Sequence, residues 1–210
     1  MKKNIAAIFC LLIIAAFFFA GCLKRKPNET DAELKARKVP VYVAQSYTGL
    51  LGLTNYTEAW TRQSELSPNA ARTIYLLDED VRKALDVLSD TLQKPKDNAT
   101  TQQKIAEVVT VLQRLRENNV IRFKSEKARQ IFDGVISNGL LLLSHIQWES
   151  IGGKSKPKDF GGAITETILI TADLQARLQR QAGMSAAEAW QEAVLLSGEI
   201  ESVNKARLGL

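Results

Sequence analysis

Between Ser67 and Pro95, six apolar residues (Ile74, Leu77, Val81, Leu85, Leu88 and Leu92) recur at steps of three and four. At 100° per residue they fall within about 80° of arc, a single face that an α-helix makes and a strand does not. Ser67 and Pro68 supply an N-cap and a first helical residue, and Lys94-Pro95 stops the pattern. A helix with one apolar face must bury it against other helices or a sheet. No part of this chain sustains the period of two that a half-buried strand requires.

The rest of the chain repeats the same theme. A helix over roughly Tyr42 to Glu65 carries Val43, Tyr47, Leu50, Leu51, Tyr56 and Trp60, with Gly49 and Gly52 weakening its middle. A third, about Thr101 to Glu117, has Ile105, Val108, Leu112 and Leu115 on one side. Ser125 caps a fourth, about Glu126 to Ser150, which is the most apolar and is expected near the middle of the assembly. A fifth runs from about Ala163 to Gln181, with Glu166, Asp173, Arg177 and Arg180 on its solvated side. Ser185 with Glu188 makes a capping box for the last, which buries Ala189, Ala193, Leu196 and Ile200. Short connections favour antiparallel neighbours, so the fold class is all-α: an antiparallel bundle of about five to six helices.

The N-terminus follows a different logic. Lys2 and Lys3 precede an uncharged run from Ile5 to Ala20, which is shorter than the roughly 20 residues of a spanning helix. A basic start, an apolar stretch and small residues before a cut site are the parts of a secretory signal peptide. Residues 19 to 22, Phe-Ala-Gly-Cys, resemble the lipobox of bacterial lipoprotein precursors, with Phe19 where an aliphatic residue is usual. The resemblance covers residues 1 to 23 only. It implies cleavage between Gly21 and Cys22, a diacylglyceryl group on the Cys22 thiol, and a palmitate-type acyl chain on the new amine. On this reading residues 1–21 are the signal peptide. Residues 22–40 are the acylated Cys and a charged tether, and 41–210 a single helical domain. Thr30 with Glu33 caps a short helical turn within the tether, ending near Lys38 ahead of Pro40.

Charge and cysteine content narrow the function. Loss of Lys2 and Lys3 takes the net charge from +5 to +3, too little for the basic stripe of a nucleic-acid binder. The other cysteine, Cys10, leaves with the signal peptide, so the mature chain has no pair for a disulfide. Lys24, Arg25 and Lys26 lie where each cation adds about 1 kcal/mol on an anionic lipid surface.

No motif announces chemistry. Gly152-Gly153-Lys154-Ser155 lacks the earlier glycine of a P-loop, because Trp148 stands there, and a helix rather than a strand comes before it. His145 is the single histidine, short of a metal set or a nucleophile's base. Asp78–Arg82 and Glu79–Lys83 are spaced as helix-surface ion pairs. Glu149 and Asp159 are the nearest approach to an acid/base pair. No cofactor or metal is expected.

The apolar residues off the main stripes, Tyr56 with Trp60 and Trp190 with Val194, make a candidate partner patch, with Leu76 and Val87 similarly placed. The expectation is a lipid-anchored, non-catalytic binding or scaffold protein of the cell envelope, its partners the membrane and another envelope protein. Leu23 after the acylated Cys favours the outer membrane facing the periplasm if the host is Gram-negative. A phage- or plasmid-type inhibitor or exclusion lipoprotein is the alternative, and an envelope hydrolase a more distant one.

Overall fold

The computed structural model describes residues 23, 25–94, 97–153, 157 and 172–210. They form six helices with no strand among them: α1 (Asp31–Arg62), α2 (Pro68–Gln93), α3 (Asn98–Arg116), α4 (Glu126–Ile151), α5 (Ala172–Gly183) and α6 (Ala186–Leu208). None of the described helices is long and apolar enough to cross a membrane.

Most helix starts are chemically marked. The Ser67, Asp97 and Ser125 side chains each accept the backbone N–H three residues on, at 3.1, 2.7 and 3.3 Å. At Ser185 the capping box closes in both directions, with Glu188 taking the Ser185 N–H at 2.6 Å. At the other end Gly209 stops α6 at φ +75°, the left-handed conformation glycine adopts without strain.

The central helix is α1, not α4 as its apolar content suggested. α1 is 32 residues long and packs against α2, α4, α5 and α6. α4 packs mainly on α1 and α3. Every α1 residue from Pro40 to Thr48 is buried, so it is enclosed from several directions and shows no single stripe. Gly52 lets α5 close in: a Cβ there would lie 3.3 Å from Leu174 Cδ1.

α1 also begins earlier than expected. The Thr30–Glu33 capping box is present, with the Thr30 N–H donating to Glu33 at 2.8 Å, but the helix runs on through Pro40 to Arg62. An interior proline removes a hydrogen bond and costs about 3 kcal/mol. Here the segment before it is docked: Arg37 donates to the Ala182 carbonyl of α5 at 2.9 Å and Lys38 bonds Glu149 of α4 at 2.8 Å. Breaking the helix at Pro40 would forfeit both. From Asp31 onward, the stretch read as tether is part of the bundle.

Helices next to each other in sequence run antiparallel where their contacts are described. Tyr47 bonds Asp86 across α1–α2, a Cβ on Gly139 would meet Leu112 across α3–α4, and Arg180 meets Glu192 across α5–α6. α1 and α6 instead run parallel, Arg207 near the end of α6 pairing with Glu58 near the end of α1 at 2.5 Å.

Candidate functional site

Gly21 and Cys22 lie outside the described residues. The nearest described neighbour, Leu23, is 7% exposed and belongs to the main core. Glu29 and Arg37 hold the stretch that follows. Arg37 Nε and Nη2 donate to the two Glu29 carboxylate oxygens at 2.6 and 2.9 Å, and Nη1 donates to the Ala182 carbonyl at 2.9 Å. That guanidinium keeps the Glu29 carboxyl down at about 2, against the opposing effect of burial.

The four expected patch residues separate into two pairs. Tyr56 and Trp60 are core: they stack at 4.9 Å, and Trp60 meets Phe123 edge-on at 5.0 Å. Their face of α1 is covered by the Phe123 connection and by Phe132 of α4, which is why they look off-stripe in sequence yet are buried. Trp190 is partly buried against the core. Val194, one turn on, is 67% exposed and Leu195 beside it 69%. Leu76 and Val87 are exposed rather than packed into a second core seam.

Beside Leu195 the α5–α6 pair forms an open groove of about 390 Å³. Arg177 bonds Glu199 at 2.8 Å and Arg180 bonds Glu192 at 2.5 Å across it. The charged stripe of α5 is therefore a bridge to α6 as well as a wetted face. Glu199 pushes the Arg177 guanidinium up. The arrangement offers a partner both signs of charge beside the exposed Leu195.

A polar network escaped the sequence reading. Arg82, expected on the surface with Asp78, is 6% exposed and bonds elsewhere. It donates to Glu79 at 2.5 and 2.8 Å, to Asp86 at 2.7 Å and to Ser197 Oγ at 3.0 Å. Tyr47 donates to Asp86 at 2.5 Å and Ser197 does so at 2.7 Å, so α1, α2 and α6 share one cluster. Burial, reinforced by the Asp86 carboxylate, drives the Tyr47 hydroxyl strongly up. Asp78 is fully buried and accepts from Asn204 Nδ2 at 2.9 Å. Burial lifts its carboxyl to about 7, only partly offset by the Asn204 bond. The signal was available: Asp78, four residues after Ile74 and three before Val81, falls about 20° from the edge of the apolar arc. The Glu79–Lys83 pair is found as expected, at 3.7 Å.

The remaining candidates have structural engagements. His145 is 4% exposed with its ring 5.1 Å from that of Tyr42. Glu149 is paired with Lys38, while Asp159, Lys154 and Ser155 lie outside the described residues. Gly152 closes α4 at φ +75°, its N–H reaching the Trp148 carbonyl at 3.2 Å. Among the described residues no group of three or more His, Cys, Asp or Glu is placed to hold a metal ion. Compared with known proteins, the chain matches no family model, no curated protein and no solved structure.

Proposed function

We propose that the chain is a bacterial lipoprotein precursor whose helical domain serves at the cell envelope as a binding or scaffold module, without catalysis. The observation that carries this reading is Ala20-Gly21-Cys22 closing an uncharged run that starts behind Lys2 and Lys3. Cys22 takes the lipid, residues 1–21 are removed, and two or more acyl chains hold the product stably where one would not. In a Gram-negative host the site is the outer membrane facing the periplasm.

The binding side rests on Leu195, 69% exposed on a groove whose walls carry both charge signs, with Val194 exposed on the adjoining face of α6. An isolated exposed Leu is ordinary; one set among the charged walls of a groove fits the apolar centre and polar rim of a protein interface. The partner is another envelope protein. A photo-crosslinking residue at Leu195 in intact envelopes is expected to trap one discrete partner that the same residue at Ala187 does not. Identical patterns from both sites would contradict a specific module.

A further inference from the structure

The position of Leu23 bears on how such an anchor would hold the domain. Leu23 is buried in the main core, and the chain from Lys26 onward is pinned. The Glu29 N–H donates to the Lys26 carbonyl at 3.1 Å, the Lys26 N–H returns to Glu29 Oε2 at 2.9 Å, and Arg37 ties Glu29 to Ala182. With Lys38–Glu149, these contacts gather the start of α1, the end of α4 and the α5–α6 corner at one end of the bundle. The opposite end holds the end of α1 and the start of α4, where the Lys124 and Ser125 N–H groups reach Glu65 at 3.1 and 2.9 Å.

We infer that the first of these ends is held flush against the bilayer, with no flexible tether between lipid and domain. The inference rests on the reading of Cys22 as the acylated residue. Consecutive Cα atoms are about 3.8 Å apart, so a lipid on the residue bonded to Leu23 leaves from the edge of the core. A flexible tether spanning residues 23 to 40 would instead let the domain roam over roughly 25 Å. The surface this end meets is lipid, and covalent geometry selects it rather than charge. Arg25 faces Asp31, Lys38 faces Glu149, and Glu33 and Asp97 at the same end are exposed acids. The end that carries Glu65 and Ser125 is consequently turned away from the membrane, toward whatever the envelope offers.

The acylated mature chain has no free thiol, because Cys10 is lost and Cys22 is blocked, so a single introduced cysteine can be labelled. Lys35→Cys and Gln63→Cys are both exposed and sit about 40 Å apart along α1. The full lipidated protein is reconstituted in phosphatidylethanolamine/phosphatidylglycerol vesicles bearing a headgroup-linked acceptor, and acylation is verified by intact mass. Energy transfer from position 35 is expected to exceed that from position 63 several-fold. Inserting a ~20-residue Gly/Ser linker between Cys22 and Leu23 is expected to erase most of the difference. Equal transfer from both sites in acylated protein without the linker overturns the flush orientation and leaves the anchor standing. A chain that is not acylated overturns both.

Discussion

Asn204 Nδ2 donates to Asp78 Oδ2 at 2.9 Å with both residues fully buried, fastening α6 to α2 in the core. The pair is only half satisfied: Asp78 Oδ1 and Asn204 Oδ1 are both buried acceptors without a hydrogen-bond partner. A proton on Asp78 turns one of these acceptors into a donor, which is why burial and a neutral carboxyl go together here.

Stability is therefore predicted to depend on pH through Asp78. Its carboxyl goes from an ordinary 3.8 to about 7 on folding. A raised carboxyl pKa contributes most below the unfolded value, and the contribution is lost as pH rises through the folded value. The cost grows between about pH 4 and 7 and reaches at most roughly 4 kcal/mol. Asp78→Asn cannot ionise and brings a donor for Asn204 Oδ1. Urea unfolding at pH 5 and pH 8 is expected to show the variant gaining on the wild type as pH rises; a parallel pH dependence would count against a buried neutral Asp78.

Arg82 gathers Glu79, Asp86 and Ser197 beneath Tyr47. Arg82→Met keeps the length of the stem but takes the nearest cation from the mostly buried Glu79, while Asp86 keeps its bonds from Tyr47 and Ser197. The expected loss is about 3 kcal/mol of unfolding free energy, as for removal of one partner from a buried ion pair. A loss below about 0.5 kcal/mol would mean that the cluster is solvated in solution.

Trp60 and Val194 should behave as opposites. Trp60→Ala removes a side chain packed on Tyr56, Phe123 and Phe132 and is expected to cost about 3–5 kcal/mol. Val194→Ser, at 67% exposure, should stay within about 0.5 kcal/mol of wild type. Comparable stability losses would move Val194 into the core.

The Glu29–Arg37 clamp should yield only to strong acid. A depressed carboxyl pKa stabilises above the unfolded value, 4.5, and the effect fades as pH falls toward the folded value of about 2. At neutral pH, Arg37→Ala is expected to raise hydrogen exchange over residues 25–36 by roughly tenfold or more, leaving α2 and α3 unchanged. Unchanged exchange at the start of α1 would show that the clamp holds nothing.

Where one element obeys one rule, the sequence was readable. α2 has a single apolar arc, a Ser-Pro start and a Lys-Pro stop, and it spans Pro68–Gln93 as that pattern requires. Where tertiary packing overrides a local rule, it was not. Pro40 reads as a stop, yet Arg37 and Lys38 dock the preceding turns firmly enough to carry the helix through it. α1 is enclosed by several helices, so its polar and small residues hide a central position that the apolar content of α4 seemed to claim. Asp78 and Arg82 were legible as ion-pair spacing, but the closeness of Asp78 to the edge of the apolar arc carried more information than the spacing did, and the burial of Arg82 depended on the arrival of α6. Of the candidate site, the angle on α6 did not separate Val194, which is exposed, from Trp190 at nearly the same angle, which is partly buried. Burial of Tyr56 and Trp60 depended on Phe123 and Phe132, from parts of the chain whose arrival no local pattern announces.

The central claim is that Cys22 is where this protein is held. Metabolic labelling with a palmitate analogue in a bacterial host, followed by intact mass of the purified product, tests it directly. The account predicts a labelled chain lacking residues 1–21 for wild type and no label for Cys22→Ala. Equal labelling of the two, or a wild-type mass that retains residues 1–21, would contradict it.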